Sequence, residues 1–502
     1  MFSPDAIVIG AGPNGLVAAN VLADAGFSVL VLETNRRPGG AVWTEPLTNP
    51  GFLHDVGAAF FPFGQTSPAL RALDLQAHGL VWKHAPFDSA HPSIDGTCSA
   101  IGRDLEASKR CLGVDGAAWE KWATWHARTR DELLGALLST LPAVKPMLRF
   151  GIPNLLRLAA VAASSGRSFS ARHFKTDAAQ RIMPALALHT DVGPDDPCGA
   201  IVGFMLTMLA SSGGFAVPEG GAASITRALL ARLESRGGHV TLGARVRRVI
   251  VREGRASAVI TEDGQEIAAQ RAIVADTSAP ALYLKLLDRA VVPAPIVDAM
   301  RRFSYGFGTF KMDWALDGPV PWLAEEASKA AVVHTGDSVD DLARFTAQVR
   351  RGELPDDPYL VIGQQSIADP SRAPAGKHTL WAYSRVPSRI DGGWKACAEK
   401  FADRVDDRIE RLAPGFKQRV LGRFIVTPPD LEAMDENLVG GDLGGGSAQI
   451  QHQLFFRPVF PYFRYRTPIR GLYLGSSYTH PGAGVHGACG YNAAHAVIED
   501  AS

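Results

Sequence analysis

"AIVIGAGPNGLVAANVLADAGFSVLVLE", residues 6–33, is the stretch on which the fold turns. Its apolar start, residues 6–9, reads as a buried parallel strand. Gly10-x-Gly12-x-x-Gly15 follows, then a helix, then a second apolar run at 28–32 that ends in Glu33. Each part has a mechanical job. Gly10 permits a tight turn, Gly12 lets backbone approach a pyrophosphate, and Gly15 lets helix and strand pack closely. The helix start, with Asn14 in its first turn, aims N–H donors and a positive dipole end at the phosphates. Glu33 stands 21 residues after Gly12, where a carboxylate can accept both ribose hydroxyl protons. A glycine-rich turn without a ligand needs none of this context. The fold class is therefore α/β, with a Rossmann-like dinucleotide domain. The fingerprint alone does not separate a nicotinamide from a flavin dinucleotide.

The bulk numbers bound the rest. The chain has 502 residues, 46% hydrophobic and 20% charged, enough for a large core. Lys plus Arg equals Asp plus Glu, at 51 each, so no charge imbalance points to nucleic acid. The start "MFSPDAIVIG" enters a strand without a basic n-region, so no signal peptide is expected. No uncharged apolar run reaches the roughly 18 residues of a membrane span. Five cysteines, an odd number, form no C-x-x-C pair, which argues against a disulfide framework, a zinc site and a dithiol redox centre, and no metal site is expected. A reducing cytoplasm is the simplest compartment.

"ETNRRPGG" followed by "GFLHDVGAAFF" resembles the FAD-binding start of the flavin amine oxidase and phytoene desaturase superfamily. The resemblance implies that Gly39 and Gly40 line the pyrophosphate and flavin. The next position is usually basic there and is Ala41 here. "VPEGGAASITRALLARLESRGGHVTLGARVRRVIV" is similar to the family's middle FAD segment, with a helix over about 222–236 and Val246 matching the residue whose backbone meets adenine. "GLYLGSSYTHPGAGVHGACGYNAAHAVI", residues 471–498, resembles its last block: a strand ending at Gly475, a loop with Gly484 and Val485, and a helix from about Val485. That helix start would favour the negative charge of a reduced flavin. "VGGDLGGGS" (439–447) reads as a flexible loop on the substrate side. With "GTFKMDWALDGPVPW" it resembles the group named for pyridine nucleotide-disulfide oxidoreductase domain-containing protein 2, which stands beside the bacterial phytoene desaturases. The implied organisation is an FAD-binding domain from 1–75, 215–290 and 456–502. A discontinuous α+β substrate domain takes 76–214 (mostly helical) and 291–455 (sheet plus helices).

The reaction so implied is FAD-dependent dehydrogenation of a small, largely apolar molecule, with noncovalent FAD and with quinone or oxygen as electron acceptor. Alternatives are an amine oxidase yielding imine and hydrogen peroxide, a redox-neutral flavin isomerase, and a flavin-bound interaction protein that turns nothing over. Lys311 sits in "GTFKMDWAL". Alternation there reads as a half-exposed strand with Lys311 and Asp313 on the wet face, whereas the family likeness places a lysine at flavin N5. His480 and His486 are candidate proton acceptors, His480 the preferred one. Residues 133–176 contain six Lys or Arg among apolar residues and no acid. They read as a cap with solvated charges or, less favoured, as a peripheral membrane contact.

Overall fold

The computed structural model describes residues 3–502. A five-stranded parallel sheet runs in the order Leu472–Leu474, Ala272–Ala275, Ala6–Ile9, Val29–Glu33, His239–Leu242. All of its strands are buried except the exposed edge strand His239–Leu242, and the buried ones are largely apolar because both faces are covered. Ala6, Val8, Val29, Val31 and Val274 pack into a core shared with the helices Pro13–Asp24, Ala223–Ser235 and Ala488–Ala501. Ile7, Ile9, Leu30, Leu32 and Ile273 pack on the other side, with residues of the antiparallel strands Val246–Arg252, Arg255–Thr261 and Glu266–Ala268.

The turn at Gly10–Gly15 is where distant chain segments meet. Gly15 N donates to Asp276 Oδ2 at 2.8 Å, just beyond the strand Ala272–Ala275. A Cβ on Gly15 would lie 2.2 Å from Gly10 O, and one on Gly490 would lie 1.8 Å from Asn14 O. The C-terminal helix therefore lies directly against the first helix.

A second, seven-stranded sheet has the order Val420–Val426, Gly308–Leu316, His378–Val386, Val361–Gly363, Ala330–His334, Phe87–Pro92, Cys98–Ile101. Gly308–Leu316 is an interior strand, antiparallel to both neighbours. Phe310, Met312, Trp314 and Leu316 enter a core with Trp394 and Phe401 of the helix Trp394–Leu412. The opposite face is not wet, as alternation suggested: all nine residues are buried. Lys311 lines a cavity on that side, and Asp313 lies 3.5 Å from His54 of the strand His54–Asp55.

A buried arginine joins the segments further. Arg372 reaches Asp55 at 2.8 Å and Asp369 at 3.0 Å, all three sealed from solvent. Asp55 also accepts from Ala222 N, and Asp369 from Gly220 N, each at 2.8 Å. Arg372→Met leaves two buried carboxylates without their cation. It is expected to cost about 3–5 kcal/mol, read as a lowered midpoint in thermal denaturation.

Candidate functional site

The two sheets enclose one cavity of about 1440 Å³. Ordinary ligand pockets measure roughly 300–1000 Å³, so there is room here for more than one molecule. One end is the dinucleotide cradle: Gly10, Gly12, Asn14, Glu33, Gly40, Ala41 and Val246 all line it. Gly39 and Gly15 stand behind it, Gly39 N donating to Ala11 O at 2.8 Å. Gly475 packs under the C-terminal helix, where a Cβ would lie only 3.1 Å from Ala493 Cβ.

The residues present fit a dinucleotide. Glu33 accepts from Ala11 N at 2.7 Å and Asn35 N at 2.8 Å, which fixes its carboxylate and leaves a lone pair on each oxygen for a ribose. The N–H groups of Gly12 and Asn14 have no protein partner among the described residues. The buried Asn14 side-chain oxygen also has none, so no protein group fixes the amide, and its NH2 is free to donate to a phosphate. A Cβ on Gly12 would lie 2.7 Å from Asp276 Oδ2. Neither nearby arginine supplies the charge that Ala41 lacks. Arg37 pairs with Glu45 and covers the Trp43 ring at 4.7 Å, and Arg36 is exposed.

Two acids that the sequence did not single out as binding residues share this end. Burial pushes Asp276 up to about 8, with Asp435 and Glu33 adding to the push against the Gly15 N–H bond. Burial pushes Asp435 up to about 6. Asp276 thus keeps its proton at neutral pH, which limits the negative charge set against a pyrophosphate.

The other end is apolar, with Leu134, Leu158, Ile201, Met205, Leu206 and Phe215 among its lining. Thr309 and Lys311 line it from the sheet. The Lys311 amine is paired with Asp313, two residues along the same face. The last-block loop supplies Ser476, His480, Gly484, Val485 and His486. Its helix begins at Ala488, three residues later than expected, because Gly484 (φ 115°) and Gly487 (φ 68°) hold left-handed backbone. His480 is buried, and its sealed Nε2 has no partner. Burial, then Arg457, pushes it down to about 4. His486 is likewise pushed down by burial to about 4, and its Nδ1 accepts from Ala488 N at 3.0 Å. Tyr478 turns away, donating to Asn437 O at 2.7 Å.

The glycine-rich loop at 439–447 is pinned rather than slack. Asp442 accepts from the N–H groups of Gly306, Gly444 and Gly446. Buried Arg457 donates to the carbonyls of Gly444, Gly445 and Ser477. Arg457, Asp191, His189 and Arg385 are cavity residues that sequence reading missed. Each lacks a local motif, and only the fold brings them together.

A family profile described as flavin containing amine oxidoreductase matches residues 14–498. Pyridine nucleotide-disulfide oxidoreductase domain-containing protein 2 of Mus musculus is 29% identical over 99% of this chain and 93% of its own length. The phytoene desaturase (lycopene-forming) of Pseudescherichia vulneris is 27% identical over 98% of this chain and 99% of its own. The crystal structure of an oxidoreductase from Methanosarcina mazei superposes with a TM-score of 0.65 at 17% identity, covering 98% of this chain and 99% of that one.

Because Lys311 and Asp313 neutralise one another, Lys311→Met alone is expected to destabilise the fold by about 3–5 kcal/mol, as removal of one partner of a buried pair does. Lys311→Met with Asp313→Asn is expected to recover most of that loss. Thermal denaturation of the two variants checks it.

Proposed function

The chain belongs to the flavin-containing amine oxidoreductase family, and from that membership we propose that it dehydrogenates a largely apolar molecule to a C=C bond and passes the electrons to a quinone. It is an FAD-dependent oxidoreductase. FAD, when bound, supplies the hydride acceptor at N5. The protein's own residues hold the dinucleotide at Gly12, Asn14 and Glu33, present the substrate from an apolar wall, and exclude water.

The observation that carries this reading is the apolar cavity opening directly from the dinucleotide cradle. Two further features support dehydrogenation over amine oxidation. A cationic amine would gain from an aromatic cage, but the residue after Gly484, where flavin amine oxidases often carry an aromatic side chain, is Val485 here, and Tyr478 points elsewhere. Oxygen reduction gains from a free positive charge, and Lys311 spends its charge on Asp313. A binding protein without turnover has no need of so large an enclosed apolar space. Among the alternatives, only the isomerase shares that need.

The acid-free stretch bears on how an apolar substrate arrives. It forms the helices Val144–Phe150, Ile152–Ala162 and Gly166–His173. Leu148 (72% exposed), Ile152 (70%) and Leu156 (68%) face outward beside exposed Lys145 and Arg149. Leu158 and Ala162 of the middle helix line the cavity. Ile450 and Leu454 also line the cavity, and Phe456 and Phe460 are exposed. Arg157 and Arg167 are already committed, to the Trp122 ring and to Asp195 and Asp340. This apolar surface, with Lys145 and Arg149 exposed beside it, supports peripheral contact with an anionic bilayer. No helix among the described residues is long and apolar enough to cross one.

Anaerobic mixing of the holoprotein with phytoene in vesicles is expected to bleach the flavin, and mixing with primary amines is expected to leave it oxidised. Bleaching by amines alone would favour the oxidase. Leu148→Asp with Leu156→Asp is expected to lower co-sedimentation with phosphatidylglycerol vesicles at least tenfold, with the flavin spectrum retained.

A further inference from the structure

One wall of the cavity carries a buried line of hydrogen-bonding groups that the reaction above has not used. His189 lines the cavity and is half-buried. Its Nε2 lies 2.8 Å from His334 Nε2. His334 Nδ1 lies 3.0 Å from Ser89 Oγ, and Ser89 Oγ lies 3.0 Å from His91 Nε2. His189 Nδ1 and His91 Nδ1, the two outer nitrogens, make no hydrogen bond among the described residues. Every group in this line can donate on one side while accepting on the other.

The fold holds the line in place. Ser89 and His91 are two apart on Phe87–Pro92 and so share a face. That strand runs parallel to Ala330–His334, with Ser89 opposite Val332. The His91 and His334 rings stack at 4.8 Å. At the cavity end, Arg385 donates to the His189 carbonyl and, at 2.7 Å, to Thr309 Oγ1. His189 is thereby anchored to the strand that carries Lys311. At the far end, Arg181 donates to the His91 carbonyl at 2.5 Å.

The surroundings keep the line neutral. Burial, then Arg385, pushes His189 down to about 3. His91 and His334 also lie well below their usual value, from burial first. Arg181 and His189 then act on His91, and His91 and His189 on His334. Burial raises neighbouring Tyr359 and Tyr383, and Cys98 beside the His91 backbone, so these stay protonated.

We propose that His189 accepts the proton lost in dehydrogenation and that His334, Ser89 and His91 relay it away from the cavity. This rests on the dehydrogenation reading above. Two hydrogens leave adjacent carbons of the substrate. One leaves with its electron pair, taken by oxidised FAD. The other leaves as a proton to His189 Nδ1, and its former bonding pair becomes the π bond. The Nε2 proton of His189 moves to His334 Nε2, the Nδ1 proton of His334 to Ser89 Oγ, and the Ser89 hydroxyl proton to His91 Nε2. His91 releases its Nδ1 proton to water, this nitrogen not being one of the sealed, unpartnered atoms. All three rings end neutral with their tautomers reversed. His189 suits the role better than His480, whose Nε2 is sealed from the cavity.

The test uses flavin-loaded protein labelled with 15N in its histidine rings. Anaerobic stopped-flow mixing with phytoene in phosphatidylcholine vesicles is the kinetic probe. His189→Gln is expected to slow flavin bleaching on the order of 10²-fold, the reach of a general base, while bleaching by dithionite stays unchanged. Ser89→Ala is expected to slow it less and to shift the ring-nitrogen signals of His334 and His189. Bleaching of His189→Gln at the wild-type rate would overturn the proposal. If phytoene bleaches none of the proteins, dehydrogenation of that class fails and the ring spectra decide alone. Signals that Ser89→Ala leaves unmoved, or rings that titrate near the ordinary value of about 6.5, overturn the relay. A tautomer change carried from Ser89 to His189 sustains it.

Discussion

Close packing at Gly10–Gly15 is the constraint on which the remaining architecture depends. Three segments far apart in the chain converge there without room for a side chain. Asp276 reaches in to accept from Gly15 N, and Gly490 lies against Asn14 at a distance no Cβ tolerates. The dinucleotide cradle is thus assembled from the chain's beginning, middle and end. The segments between are free to build a second sheet above it, and the cavity is the space that the two leave. Arg372, bound to Asp55 and Asp369, ties further distant segments together.

Charge management inside the cavity follows from its burial. Four kinds of group that would cost much as isolated ions are each accommodated differently. Asp276 keeps its proton. Lys311 pairs with Asp313. Arg457 and Arg385 spend their donors on carbonyls of the loops they pin. The histidines stay neutral. What is left facing the apolar end is a wall of low charge, suited to a hydrocarbon and poorly suited to an ammonium ion.

Legibility in the sequence followed the range of the interactions involved. The strand–turn–helix at 6–24 and the acid at Glu33 were readable because their chemistry is local. The helix at Ala223–Ser235 fell within one residue of its expected bounds for the same reason. The burial of Lys311 was not readable. Alternation tells which residues share a face, but the cover on that face comes from His54, more than 250 positions away. The delayed start of the last helix was hidden in Gly484 and Gly487, whose positive φ a sequence permits but does not demand. The His189 line draws on residues 89, 91, 189 and 334, and no window contains more than two of them.

The measurement that tests the account most directly needs no substrate. The holoprotein is reduced anaerobically with dithionite and mixed, separately, with a quinone and with oxygen in a stopped-flow instrument. A cavity in which Lys311 is neutralised by Asp313 should return the oxidised flavin spectrum rapidly with quinone and slowly with oxygen. Rapid return with oxygen and slow return with quinone would contradict a dehydrogenase and make the protein an oxidase.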